Sequence, residues 1–263
     1  MKIREIAAVI ERFAPLSLQE SYDNSGLIVG RPDDEVHKAL LAVDVTDEVM
    51  DEAEREGCDI IITHHPILFH ALKRFNSATN VERCVERAIR KGIALYACHT
   101  NLDSAPQGMS WRLAGMFGVG SLEVLQPSEK MEGAGFGTVG ELPEAVPTVD
   151  FLRRVADVTG AKVVRHSDIA TPTVRRVAVC TGAGASLTGD AERAGADIYI
   201  TADLKYNDFT PPACGTMTVA DIGHFESEYC AIRILFDVLS KNLITFAVRE
   251  SEHSRNPVNY LTK

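Results

Sequence analysis

Several features that mark specialised proteins are scarce in this sequence. Only 6% of its 263 residues are aromatic, and one of these is tryptophan. No uncharged stretch reaches the roughly 18 residues that a membrane-spanning helix needs, which argues against an integral membrane protein. The six cysteines contain no Cys-x-x-Cys pair and fall mostly inside apolar segments. We therefore predict that they are buried thiols in a reducing compartment.

Positive charge is also in short supply. Lysine and arginine number 27 against 37 aspartates and glutamates, which gives a formal net charge of −10. A general nucleic-acid-binding protein would normally carry a basic face, so this class is disfavoured. An anionic small molecule would need a local source of positive charge, and a bound metal ion would provide it.

The first 16 residues carry apolar side chains at helical spacing, with acidic residues between them. The apolar positions are Ile3, Ile6, Ala7, Ile10 and Phe13. This pattern predicts an amphipathic helix and not a signal peptide. We therefore expect a cytoplasmic protein.

Apolar segments alternate with helical patterns in the first half of the chain. Strands are predicted at 38–44, 59–63 and 93–99, with helices at 46–57 and 80–92. Strands that are apolar on both faces and separated by single helices indicate a mainly parallel sheet covered by helices. The predicted fold class is α/β.

The two halves of the sequence resemble each other weakly. The stretch "EREGCDIIITHH" in the first half is echoed by "ERAGADIYITAD" in the second, which favours a diverged duplication over convergent patterning. We predict two related α/β lobes, at 1–127 and 128–263. The second contains a small insert, 133–166, that reads as strand, loop with two prolines, helix and strand.

Two adjacent histidines follow an apolar strand in "DIIITHHP". Ligands collect at the carboxyl ends of parallel strands, and His64 and His65 fall at such an end. Neighbouring residues on a strand point to opposite faces, so each histidine could hold a different one of two neighbouring ions. A strand terminus with two hydrogen-bonded imidazoles is the alternative.

Two further stretches supply partners for these histidines. In "GHFESE", His224 and Glu228 are four residues apart, which places both on one face of a helix. Asp103 ends "HTNLD" just beyond another predicted strand. Taken singly, Asp103 could form a turn, His224 could cap a helix, and Glu228 could be a surface carboxylate. Together with the histidine pair they make a set without thiolate, which suits zinc, manganese, cobalt or iron.

The motifs "THHP", "HTNLD" and "GHFESE", in this order, resemble those of the Nif-three-like dinuclear-metal family, often labelled type-two GTP cyclohydrolase I homologues. The resemblance runs nearly end to end and includes "SYDNSGLIVG" (21–30), "CTGAGAS" (180–186) and "TADLKYND" (201–208). It implies two lobes with a metal site in the cleft between them, and a ring-shaped homohexamer. It also implies that two divalent ions are bound by His64, His65, Asp103, His224 and Glu228.

In the implied arrangement Glu228 bridges the ions, His64 and Asp103 serve one, and His65 and His224 serve the other. The sequence departs from the family pattern elsewhere. Tyr22 stands where the family commonly has tryptophan, and Ala202 and Asn207 differ from the usual "TGDLKYHD"-like wording. None of these positions is an implied metal ligand.

A dinuclear centre favours metal-dependent hydrolysis, because two ions can activate water and hold an electrophile together. The resemblance implies a small-molecule, nucleotide substrate and a GTP cyclohydrolase type of reaction that opens the imidazole ring of guanine. Glu228 and His99 are the candidate catalytic residues, with His99 as acid and base. The alternative for His99 is a hydrogen bond that holds Asp103. The alternative function is a non-enzymatic metal-binding or metal-delivery protein, or a ring scaffold.

Overall fold

The computed structural model describes residues 1–261, without the side chain of Pro212. The chain forms two compact units: unit 1 combines 1–105 with 231–255, and unit 2 combines 106–230 with 256–263. The division into lobes at 1–127 and 128–263 stays a prediction. It divides the chain at a single point, whereas each compact unit is built from two separate segments.

The helices and strands follow in chain order. The helices are α1 Ile3–Phe13, α2 Asp47–Glu56, α3 Asn80–Lys91, α4 Thr100–Asp103, α5 Met109–Met116, α6 Thr148–Thr159, α7 Thr188–Arg193, α8 Pro211–Cys214, α9 His224–Glu228 and α10 Cys230–Asn242. The strands are β1 Gly26–Val29, β2 Lys38–Ala42, β3 Ile60–Thr63, β4 Ala94–Ala97, β5 Gly120–Pro127, β6 Gly135–Pro147, β7 Arg165–His166, β8 Thr173–Ala183, β9 Ile198–Ala202, β10 Thr218–Asp221 and β11 Ala247–Glu250.

The sheet of unit 1 has the strand order β1-β4-β3-β2-β11. Every pair in it is parallel except β1 with β4. Its central strands are buried along almost their whole length, as their unbroken apolar sequences require. The mainly parallel sheet predicted from the sequence is confirmed for this unit.

The helices α2 and α3 begin and end at residues that the sequence marks clearly. The side chains of Thr46 and Thr79 accept hydrogen bonds from the first-turn amides of Val49 and Glu82. Both helices end at a glycine in the left-handed conformation. These signals explain why the predicted helices agree with the observed ones to within one residue.

The sheet of unit 2 is mixed, which corrects the prediction of mainly parallel sheets. Its strand order is β5-β6-β8-β9-β10-β7. Only β8, β9 and β10 pair in parallel, while the other three pairs are antiparallel. The parallel core is the part that echoes unit 1 in sequence. The antiparallel strands come from the segments 120–147 and 165–166, where that echo does not extend.

The segment predicted as a loop with two prolines is strand in the structure. Strand β6 includes Pro143 and ends at Pro147, and its register with β8 shifts between Glu141 and Val146. Proline cannot donate to a ladder, so it is tolerated where the pairing is irregular. The strand therefore continues through residues whose composition indicates a loop.

Two expectations about composition can be compared with the structure directly. All six cysteines are free and buried, as predicted. Within residues 1–261, none of the helices combines the length and the apolar character that a membrane crossing requires.

Candidate metal-binding residues

The parallel strands of unit 1 bring their carboxyl ends to one edge of the sheet. Ala42, Thr63 and Ala97 are register partners on β2, β3 and β4. The ladder continues past these ends, because the amide of His65 donates to Val43 O at 3.0 Å. The residues that follow the three strands are therefore held next to one another.

His64 is completely buried at this edge. Its Nδ1 lies 2.7 Å from the carbonyl oxygen of Cys98, an interaction in which the ring nitrogen must donate. The neutral ring then presents the lone pair of Nε2, which lies 3.8 Å from Asp103 Oδ1. The predicted pairing of His64 with Asp103 within unit 1 therefore has a geometric basis.

His65 is oriented by a carboxylate that the sequence reasoning did not identify. Its Nδ1 lies 2.8 Å from Oδ1 of Asp44, which follows β2. The rings of His64 and His65 are 4.9 Å apart and tilted by 44°. They do not follow the strand alternation assumed from the sequence, because β3 ends at Thr63, whose hydroxyl donates to the carbonyl oxygen of His65.

His99 precedes α4 and completes a group of three imidazoles in unit 1. One ring nitrogen from each of His64, His65 and His99 lies within 4.8 Å of the others. Nδ1 of His99 is 2.7 Å from Asp23 Oδ1. Nδ1 of His99 thus contacts Asp23, and the alternative for His99, a hydrogen bond that holds Asp103, stays a prediction.

Asp23 is fixed in its ionised form. Its side chain accepts hydrogen bonds from the amide and the hydroxyl of Thr100 and from the hydroxyl of Ser25, as well as from His99. Burial alone would raise the pKa of Asp23, but the hydrogen bonds from His99 and Thr100 lower it well below the usual value. In the sequence, the pattern "SYDN" indicates a turn. Nothing in that pattern indicates a contact with a distant histidine.

In unit 2, His224 begins helix α9 and Glu228 ends it, as the spacing predicted. Nε2 of His224 lies 2.9 Å from Glu228 Oε2, and Nδ1 lies 2.8 Å from Asp203 Oδ2. The hydrogen bond with Glu228, followed by the charge of Glu228 and the contact with Asp203, raises the pKa of His224 to about 9. Asp203 follows β9 and has a left-handed backbone with φ 56°.

The glycine-rich segment "TGAGAS" (181–186) contacts helix α9. The amide of Gly182 donates to Ser227 Oγ at 2.9 Å. A Cβ atom on Gly182 would lie 2.3 Å from Glu228 Oε1, and its φ of +64° is itself unfavourable for a side chain. The carboxylate of Glu228 therefore occupies space that only glycine leaves open.

The four candidate histidines described above share one hydrogen-bonding feature. The Nδ1 atom of each contacts an oxygen: Cys98 O for His64, Asp44 for His65, Asp23 for His99 and Asp203 for His224. Metal-ligating histidines nearly always use their second nitrogen in this way, which fixes the tautomer and aims the other nitrogen at the ion. The clustered histidines and carboxylates therefore suggest a metal site.

Comparison with known proteins identifies the family. The sequence matches Duf34/NIF3 (NGG1p interacting factor 3) over residues 1–257. The chain belongs to this family. A family member from Clostridium perfringens, the "GTP cyclohydrolase 1 type 2 homolog", is 31% identical over 99% of this chain and 100% of its own length. The homologue of the same name from Streptomyces coelicolor is 33% identical over 87% and 82%.

Solved structures show the same fold. The Staphylococcus aureus protein SA1388 matches with a TM-score of 0.91 at 24% identity, covering 99% of both chains. The family match over residues 1–257 confirms the end-to-end resemblance inferred from the motifs. The family includes proteins named "GTP cyclohydrolase 1 type 2 homolog", and this chain has clustered histidine, aspartate and glutamate side chains that could hold a metal ion.

The aspartates that contact Nδ1 offer a direct test of metal binding. We expect Asp44→Asn and Asp203→Asn each to weaken divalent-metal affinity by about 10–100-fold, because the imidazole loses the negative partner that raises its basicity. Chelator competition with zinc measures the change. Asp59→Asn is the matched control. Asp59 directly precedes β3, and its side chain accepts a hydrogen bond from the backbone amide of His37. Equal affinity in all three variants would contradict the assignment.

Proposed function

We propose that this protein is a hydrolase that depends on two divalent metal ions. The proposed ligands are His64, His65, Asp103, His224 and Glu228. In the arrangement that the family resemblance implies, His64 and Asp103 would hold one ion, His65 and His224 would hold the other, and Glu228 would contribute its carboxylate to both. The observation that carries the proposal is the Nδ1 contact made by each of the three ligand histidines, His64, His65 and His224, which leaves Nε2 of each ring as the atom that would bind an ion.

The donor set suits zinc, manganese, iron or cobalt. It combines imidazoles with carboxylates and contains no thiolate, because the six cysteines lie buried elsewhere as free thiols. When bound, such ions act as Lewis acids and make water nucleophilic at neutral pH. Two divalent ions would also leave a net positive centre after two carboxylates are counted, in a protein of charge −10.

His99 is the proposed acid and base. The carboxylate of Asp23 fixes Nδ1 of His99 as the protonated nitrogen, which leaves Nε2 to accept a proton. One ring nitrogen of His99 lies within 4.8 Å of ring nitrogens of His64 and His65. A proton taken up at Nε2 would give an imidazolium stabilised by the buried charge of Asp23. His99 can therefore accept a proton from attacking water and return it to a leaving nitrogen.

The proposed substrate is a nucleotide. Relatives that match this chain over nearly its whole length are named "GTP cyclohydrolase 1 type 2 homolog", which supports opening of the guanine imidazole ring by water. We further propose a homohexamer located in the cytoplasm. Six buried free thiols suit that reducing compartment.

The test is metal content measured by mass spectrometry, followed by GTP turnover on the same samples. Wild type is expected to carry about two equivalents of metal per chain and to consume GTP. His65→Ala should lose metal and turnover together, whereas His37→Ala, at an exposed histidine, should keep both. Equal metal in wild type and His65→Ala would overturn the proposal. Bound metal that passes readily to an acceptor, without turnover, would favour metal delivery instead.

A further inference from the structure

Two aromatic rings of unit 1 remain exposed although they contact each other. Tyr22 is 63% exposed and Phe69 is 39% exposed. Their ring centroids are 6.3 Å apart, with an angle of 64° between the planes. Apolar surface left in water forgoes the stabilisation that burial would give, so an exposed pair of rings is a candidate binding surface.

The pair borders the candidate metal ligands. The ring of Phe69 lies 5.9 Å from that of His99, edge to face at 85°. Tyr22 immediately precedes Asp23, whose Oδ1 lies 2.7 Å from Nδ1 of His99. A ring bound on Tyr22 and Phe69 would therefore lie beside the proposed acid and base.

Hydrogen bonds hold the segment 66–79 that carries Phe69. Near its start, Asn24 Nδ2 donates to Leu68 O at 2.7 Å. Near its end, Glu82 Oε2 accepts from the amides of Asn76 and Ala78 at 3.1 and 2.9 Å. The position of Phe69 is thus set by polar contacts at both ends of the segment, although its ring is not packed into the core.

The same segment is locally cationic in an acidic protein. Residues 60–81 contain no aspartate or glutamate, and they include Lys73 and Arg74. Both side chains are exposed, and among residues 1–261 neither forms an ion pair. Two cations that follow Phe69 by four and five residues along the chain suit a ligand that joins an aromatic ring to an anionic group.

We propose that Tyr22 and Phe69 bind the planar heteroaromatic ring of the substrate by stacking, while Lys73 and Arg74 attract its anionic group. This inference rests on the proposed function and names the residues that select the ring. A small molecule suits the surface better than a second copy of the chain, because the rings adjoin His99, which must remain accessible to water and substrate.

The test measures binding of the aromatic ring and binding of the anionic group separately. Guanosine and inorganic triphosphate are titrated calorimetrically into zinc-loaded protein and, in parallel, into metal-free protein. Tyr22→Leu and Phe69→Leu should each weaken guanosine binding by about five- to a hundredfold and leave triphosphate binding unchanged. Phe75→Leu is the matched control, because Phe75 lies on the same segment and is 52% exposed. It should bind both probes as wild type does.

Metal content of each variant distinguishes this inference from the proposed function. Lack of metal in wild type would overturn the proposed function. The guanosine titrations of the metal-free protein would still show whether Tyr22 and Phe69 bind the ring. Absence of guanosine binding by wild type, or equal binding by wild type and both ring variants, would overturn the inference. So would a change of oligomeric state in Phe69→Leu with unchanged guanosine binding, because the rings would then form a subunit contact.

Discussion

Gly182→Ala is expected to weaken divalent-metal binding by more than about a hundredfold, which exceeds the usual effect of changing a residue around the ligands. The added Cβ would lie 2.3 Å from Glu228 Oε1 and 3.6 Å from His224 Cε1. Because Glu228 is only 3% exposed, its carboxylate cannot move into solvent while its helix stays in place. A single methyl group should therefore displace one proposed ligand and crowd the other.

Gly195→Ala provides the control for backbone strain. Gly195 has a φ of +72°, close to that of Gly182, but a Cβ there would meet no atom within 4 Å. Both variants should lose about 1–2 kcal/mol of stability from the left-handed backbone, and only Gly182→Ala should lose metal affinity. Urea denaturation and chelator competition measure the two effects. Equal losses of metal affinity would show that strain, and not contact with Glu228, is responsible.

Glu228→Gln is expected to have the second large effect. The substitution keeps the size of the side chain but removes the charge that the proposed bridging role requires, so metal content and GTP turnover should both fall at least about tenfold. Glu226→Gln is the control, because the Oε1 atom of Glu226 accepts from Asn256 and a glutamine oxygen can do the same. Wild-type metal content in Glu228→Gln would rule out Glu228 as a ligand.

The same substitution should change how the metal-free protein responds to pH. Contact with Glu228 raises the pKa of His224 from 6.5 to about 9, so the folded protein holds this proton more tightly than the unfolded chain. The resulting stabilisation is complete below pH 6.5 and is lost as the pH rises through about 9. Urea midpoints in the presence of a chelator should fall across this window, and less steeply in Glu228→Gln. Identical profiles would contradict the assigned cause.

Local signals in the sequence were sufficient for much of the fold and for the candidate ligands. Capping threonines and terminal glycines define α2 and α3, and unbroken apolar sequences define the central strands of unit 1. The spacing of His224 and Glu228 predicted their shared helical face. Each of these features is encoded within a few neighbouring residues, which is why the sequence alone reveals it.

The partners of the histidines are encoded differently. Asp44, Asp23 and Asp203 lie 21, 76 and 21 residues from the histidines that they contact. Those distances are set by strand register and by the turn that carries each aspartate, so no local pattern indicates them. The antiparallel pairing in unit 2 escaped prediction for a related reason, because it depends on long-range contacts and not on the alternation of strands with helices.

The route of the chain between the two units limits where the gene can be divided. Since it passes from one compact unit to the other after Ala105, Cys230 and Arg255, no single breakpoint in the gene separates the two units. A fission at any one position would leave at least one unit missing a segment, and a fusion partner could be appended only at the ends or within a loop. Removing one unit and leaving the other intact therefore requires breaks at more than one point in the chain.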